Sequence, residues 1–175
     1  PSSRRLYIGT RNGCAVHVFY LDSTSEAWIG PIYPGGQVYS MGVNRTLGYL
    51  YVVHSSSCGS EYPANLINRY PRNSFAPDIA NVGISDTHDG GGLAINPLNG
   101  GRLYIAGTHY TNPAADWFEI LYRGLGHRLT WGPTYPGIGP DPLGVAVDET
   151  WYRIYIANRG SGMITVVYDS EAAGL

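Results

Sequence analysis

The most regular feature of the chain is a short apolar triplet with tyrosine at its centre. It recurs four times, at spacings of 44, 53 and 51 residues. The copies are Leu6-Tyr7-Ile8, Leu50-Tyr51-Val52, Leu103-Tyr104-Ile105 and Ile154-Tyr155-Ile156. Self-similarity at a period of about 40–50 residues is typical of repeat architectures such as propellers and solenoids. The triplets show no helical periodicity, and their apolar and aromatic residues favour a strand.

Further short strands surround each triplet. Three copies follow an apolar strand and a turn, in strands that end at Asn44, Asn96 and Asp148. The segments that come after the triplets, rich in β-branched and aromatic residues, are 16–22, 27–32, 117–122, 129–134 and 163–169. Such composition favours β structure. Four short strands per repeat, separated by Gly- and Pro-rich turns, predict an all-β chain of β-propeller blades.

The length fits one domain. A chain of 175 residues and 19.0 kDa is within the ordinary range of a single core. We therefore expect one β-propeller domain over residues 1–175 with about four four-stranded blades. The blade repeats are predicted at about 5–39, 40–90, 91–142 and 143–170.

The strand count predicts incomplete terminal blades. Counting from the central axis outward, the first blade lacks its innermost strand and the last blade lacks its outermost strand, which gives fourteen strands. Either the four blades form a small, loosely closed ring, or a neighbouring chain completes them. Unpaired strand edges are templates for adding another chain, so self-assembly is expected.

The last repeat resembles a known blade sequence. The segment from Gly144-Val145-Ala146-Val147-Asp148 through Arg153-Ile154-Tyr155-Ile156-Ala157-Asn158 to Tyr168-Asp169 is similar to the repeat of the NHL and YVTN group of propellers. Segments 92–107 and 41–54 are weaker copies. The resemblance implies a propeller architecture and carries no activity with it.

Composition excludes several classes of function. Only 14% of residues are charged, the net charge is −2, and all eleven cations are arginines spread along the chain, so no basic patch for nucleic acid or an anionic membrane is expected. No apolar run approaches the roughly 18 residues of a membrane span. The absence of lysine excludes Schiff-base catalysis. The first residues carry no signal-peptide pattern, as expected of a mature or trimmed chain.

The two cysteines occupy equivalent positions. Cys14 and Cys58 each lie eight residues after the first residue of a triplet, so both fall in the same turn of adjacent blades. This register predicts a Cys14–Cys58 disulfide, the alternative being two separate buried thiols. A disulfide would indicate an oxidising compartment, and we expect an extracellular, secreted protein.

Candidate ligand sites are few. Asp86, His88 and Asp89 precede an innermost strand and suit calcium or a transition metal, although the same residues fit a polar turn. No other cofactor is expected. Asn44 begins an N-glycosylation sequon, Asn44-Arg45-Thr46, in a turn from which a glycan would project.

The sequence favours binding over catalysis. It contains no nucleophile elbow, phosphate loop or zinc-protease motif. Propeller hydrolases and lyases place metal ligands at strand ends, but here the ends at Thr10, His54, Gly107 and Asn158 make a poor set. We therefore expect no enzyme. A metal-dependent hydrolase or lyase using Asp148 or the Asp86 cluster is the weaker alternative.

Aromatic residues are the remaining candidates. The interface or glycan-stacking candidates are tryptophans and tyrosines expected at blade rims or turns, namely Trp28, Tyr33, Trp131, Tyr135, Trp151 and Tyr152. With low charge and incomplete blades, they predict a self-associating structural subunit of an extracellular assembly or filament, whose partner is the chain itself. A carbohydrate-binding propeller that recognises glycans is the first alternative.

Overall fold

A computed structural model describes residues 4–21, 26–59, 66–84, 89–97, 101–108, 117–122, 128–131 and 138–169, with the backbone alone at 26, 89–90 and 128–131. Within these residues fourteen strands form four antiparallel sheets. No helix in this part of the chain is long and apolar enough to cross a membrane.

The sheets follow one another along the chain. The first sheet contains β1 (Arg4–Thr10), β2 (Ala15–Leu21) and β3 (Glu26–Ile32). The second contains β4 (Val38–Asn44), β5 (Tyr49–His54), β6 (Leu66–Pro71) and β7 (Ile79–Gly83). The third contains β8 (Asp89–Asn96), β9 (Arg102–Thr108), β10 (Trp117–Leu121) and β11 (Arg128–Trp131). The fourth contains β12 (Pro142–Asp148), β13 (Arg153–Asn158) and β14 (Met163–Tyr168).

Every sheet is a meander in which consecutive strands pair. The repeated triplets lie in β1, β5, β9 and β13. In the second, third and fourth sheets a strand precedes the triplet strand, whereas β1 is itself the edge of the first sheet. The predicted distribution of three, four, four and three strands is therefore confirmed among the described residues.

Three apolar clusters lie between the sheets. One joins the first and second sheets through residues such as Val18 and Val52. The next joins the second and third sheets around Tyr51 and Ile105, and the last joins the third and fourth sheets. Because consecutive sheets pack face to face, the strands of the middle sheets are apolar on both faces and carry little polar alternation.

The inner strands approach each other closely. A Cβ added at Gly42 in β4 would lie 2.7 Å from Cδ1 of Ile95 in β8, and one added at Gly92 would lie 2.5 Å from the backbone nitrogen of Val145 in β12. Glycine is required at Gly92 because the clash there would be with backbone, which cannot move aside as a side chain can. These contacts bring β4, β8 and β12 together on one side of the molecule.

A buried ion pair ties the third sheet to the fourth. The Arg102 guanidinium lies 2.6 Å from Oδ1 of Asp169, and the Tyr104 hydroxyl donates to Oδ2 of the same carboxylate at 2.7 Å. Burial, and then the hydrogen bond to Asp169, raise the pKa of Tyr104 far above its usual range. Both charges are paired and hydrogen-bonded, as buried charges need to be.

Candidate functional site

The outward face of the first sheet is mostly apolar, and it also carries Arg4 and His17. Directly paired residues share one face of an antiparallel sheet, and Leu6 pairs with Phe19, which pairs with Trp28. Ile8 lies on the same face, two residues from Leu6. Leu6, Ile8 and Trp28 are between 41% and 60% exposed. The face that packs on the second sheet, by contrast, carries the fully buried Val16 and Val18.

The outward face of the fourth sheet is mostly apolar as well, and it also carries Arg153. Tyr155 pairs with Val166 and lies in one row with it, while Ile164 pairs with Ala157. Ile164, Val166 and Tyr168 are between 53% and 66% exposed. The opposite face of this sheet carries Ile154 and Ile156, which are fully buried against the third sheet.

The strands that carry the triplets differ in burial according to their sheet. In the second sheet Leu50, Tyr51 and Val52 are all buried, and the third sheet buries its whole triplet in the same way. In β1 and β13 one face is exposed and the other covered. If the fourth sheet packed on the first, both outward faces would be buried as the internal ones are. These two faces, defined by Leu6, Ile8, Phe19 and Trp28 and by Tyr155, Ile164, Val166 and Tyr168, form the candidate functional site.

The predicted disulfide is present. Cys14 and Cys58 are bonded, with their Cα atoms 5.8 Å apart. Cys14 lies in the turn between β1 and β2, and Cys58 follows β5, so the bond joins equivalent turns of adjacent sheets as their register predicts. It fixes the first sheet against the second at one end of their interface.

Most of the predicted metal cluster lies outside the described residues. Asp86 and His88 belong to the part of the chain that is not described, and Asp89 opens β8. In the described ranges, no group of three or more His, Cys, Asp or Glu residues is placed to hold a metal ion.

Residues at the ends of inner strands cap turns. Oδ1 of Asp148 accepts hydrogen bonds from the backbone N–H of Thr150 and Trp151, at 2.9 and 3.2 Å. Oδ1 of Asn44 accepts from the N–H of Leu47 at 2.9 Å. Both side chains thus use their oxygens in local turns, as Asx residues commonly do.

The sequon prediction needs correction. Asn44 is 1% exposed, and its Nδ2 lies against Gly101, where even an added Cβ would come within 2.6 Å. A glycan on that nitrogen has no room in the folded chain. The side chain is buried because its oxygen caps the β4–β5 turn from inside, so the expectation that a glycan projects from Asn44 is wrong.

The candidate aromatic residues do not converge on one surface. Trp28 lies on the outward face of the first sheet and Tyr33 follows β3, whereas Trp151 and Tyr152 occupy the β12–β13 turn of the fourth sheet. Trp28, Tyr33 and Trp151 are at least 60% exposed. Trp131 ends β11 with its side chain undescribed, and Tyr135 lies outside the described residues.

A cationic cleft was not predicted. It has a volume of about 640 Å³, and its lining includes Arg4, Arg5, Arg45, Arg72, Tyr7 and Tyr49. No described acidic residue is among its lining residues. Arg5 donates to the backbone carbonyl of Arg72 and to the Tyr20 hydroxyl. The arginines are scattered along the sequence, and only the packing of the first sheet on the second brings them together.

Sequence reasoning also missed the outward faces. It placed the exposed aromatic residues at turns and blade rims, whereas the exposed Leu6, Ile8, Ile164 and Val166 lie within strands. A usable signal was present: the terminal repeats have the same apolar residues on both faces as the internal ones. In the structure the apolar clusters join each terminal sheet to one other sheet, and its remaining face is exposed.

Comparison with known proteins shows the fold alone. No protein-family model and no curated protein matches the chain. Among solved structures, a chain of the "Crystal Structure of Mitotic Checkpoint Complex", a WD40 propeller, superimposes with a TM-score of 0.65 at 12% identity. The match covers 95% of this chain and 47% of that one, so this chain spans about half the length of the matched chain. The predicted β-propeller fold is confirmed, and the resemblance to NHL and YVTN repeats stays a prediction.

Proposed function

We propose that this chain acts by binding rather than catalysis, as a self-associating structural subunit of an extracellular assembly. One observation carries the proposal: the outward faces of the first and fourth sheets expose strand residues of the kind that the internal sheets bury. Exposed contiguous apolar faces mark interaction sites in soluble proteins.

Two further properties support the proposal. A net charge of −2 gives little electrostatic repulsion between copies. The Cys14–Cys58 disulfide favours an oxidising compartment such as the extracellular space, where it would hold the first and second sheets together.

Sedimentation velocity of the wild-type chain, with its disulfide intact, tests self-association. We expect the average mass to rise above the 19.0 kDa of one chain as concentration increases from micromolar to millimolar. A mass that stays at one chain over that range contradicts the proposal.

The cationic cleft favours a second candidate function, the binding of acidic carbohydrate. Its arginines would pair with the carboxylate or sulfate groups of the sugar. A glycan array should then show binding of sulfated or uronic-acid chains, with weaker binding by Arg45→Ala. Arg159→Ala, at an exposed arginine of the fourth sheet, is the control. Binding of neutral glycans alone, or of none, contradicts this function.

A further inference from the structure

The three interfaces between sheets are all oriented in the same direction along the chain. In each triplet the central tyrosine faces the following sheet, and the flanking aliphatic residues face the preceding one. Tyr51 packs with Leu103 and Ile105 of the third sheet, and Tyr104 packs with Ile154 and Ile156 of the fourth. Tyr7 packs in the same way on the cluster that contains Leu50 and Val52. A tyrosine face thus meets an aliphatic face three times.

Of the two outward faces, one is a tyrosine face and the other is an aliphatic face. The fourth sheet presents Tyr155 outward, since Ile154 and Ile156 are turned to the third sheet. The first sheet presents Leu6 and Ile8 outward, since Tyr7 is turned to the second sheet. One chain therefore carries both halves of the interface that it repeats internally, and the halves point away from each other.

We propose that a second copy of the chain covers both faces, with the fourth sheet of each copy packing on the first sheet of the other. Such a contact is heterologous, and heterologous contacts close into rings when the rotation between copies permits. Two copies would form a ring of eight sheets. This inference rests on the proposed self-association and specifies its geometry.

The areas of the outward faces favour a ring closed by two contacts over a pair of chains held by one contact. With strands about 4.8 Å apart and about 3.3 Å of rise per residue, a three-stranded face of seven residues covers roughly 300 Å². One contact uses two faces, about 600 Å², which is below the roughly 1,000 Å² of a stable interface, while a closed pair uses four and reaches about 1,200 Å².

Charged substitutions on single faces test whether the fourth sheet of one copy packs on the first sheet of the other. Leu6→Asp and Ile164→Asp each place a carboxylate on one outward face, and Trp28→Asp and Val166→Asp repeat the test at second positions. Val43→Asp is the matched control, since Val43 is an exposed strand valine, 46% accessible, on neither outward face. Circular dichroism and the mass of the intact disulfide verify that each variant folds.

We expect the wild-type chain and Val43→Asp to sediment at twice the 19.0 kDa of one chain. All four face variants should be monomeric, because each ring needs both faces of every copy. If variants of one face remain dimeric, like faces pair with like, and the inference is wrong although self-association stands. A wild-type filament of many chains contradicts closure at two copies. A monomeric wild type overturns this inference and the proposed function together.

Photo-crosslinking identifies the partner surface directly. The benzophenone variant Tyr168→p-benzoylphenylalanine, mixed with isotope-labelled wild type, should give inter-chain crosslinks to peptides within residues 4–32 of the first sheet. Crosslinks confined to the fourth sheet of the other copy would contradict head-to-tail packing.

Discussion

His54 illustrates how burial sets the chemistry of a single residue. It ends β5 and is buried, and its Nδ1 lies 2.7 Å from the carbonyl oxygen of Ser55. Burial lowers the pKa of this imidazole, because the charged form loses its hydration. The folded chain therefore binds fewer protons at His54 than the unfolded chain does below about pH 6.5. A strand-end histidine that suggests a ligand in sequence is here part of a packed interior.

The sign of the resulting pH dependence follows from linkage. A group that protonates more readily when unfolded lowers the free energy of unfolding as pH falls, by up to about 1.4 kcal/mol per pH unit. We expect stability to decrease from pH 7 to pH 5 in urea titrations, and His54→Gln to flatten that slope. Asp78, whose pKa is lowered by its hydrogen bond to Arg69, loses its contribution below about pH 4, outside this window. An unchanged slope in His54→Gln contradicts the assignment.

At the scale of elements, a disulfide and a buried ion pair join consecutive sheets in addition to the apolar clusters. The disulfide joins the first sheet to the second, and the Arg102–Asp169 pair joins the third to the fourth. Between them the second and third sheets meet through an apolar cluster centred on Tyr51, Leu103 and Ile105. Each link acts between sheets that follow one another along the chain.

Removing one partner of the buried pair should be costly. Asp169→Asn removes the carboxylate that pairs with the Arg102 guanidinium, which is only 8% exposed, and we expect a loss of about 3–5 kcal/mol in the free energy of unfolding. Chemical denaturation measures it. Asp141→Asn, which removes the partner of the exposed Arg159, should cost at most about 1 kcal/mol. Equal losses in the two variants would show that burial of the pair does not matter.

Loss of the disulfide should destabilise the chain through its unfolded state. The bond closes a loop with a sequence separation of 44 residues, and the chain-entropy relation gives about 4 kcal/mol for a loop of that length. Cys14→Ser/Cys58→Ser should lower the free energy of unfolding by a similar amount in urea titrations, and reduction of the wild type should match it. A change below about 1 kcal/mol would contradict this role.

At the scale of the whole molecule, the repeat made most of the architecture predictable. The four triplets gave the strand order, and the shared register of Cys14 and Cys58 gave the disulfide. The burial of individual side chains was harder to predict from the sequence. The sequon at Asn44 suggested an exposed side chain, but this side chain turns inward to cap the β4–β5 turn. The cationic cleft depends on how two sheets pack, which a local pattern does not encode.

The outward faces of the first and fourth sheets are the feature of the whole molecule that points most directly to a function. Each internal interface joins a tyrosine face to an aliphatic face, and the chain presents one of each outward. Burying such faces against another copy would extend the packing that already stabilises the fold, because apolar burial contributes roughly 25 cal/mol per Å².

The most direct test of this account is the mass of the native particle by multi-angle light scattering, with the disulfide intact. The account predicts a mass that rises with concentration to twice the 19.0 kDa of one chain and no further, since both pairs of outward faces are covered at that mass. A particle of a single chain at every concentration would contradict it, since the exposed faces of the first and fourth sheets would then have no partner copy.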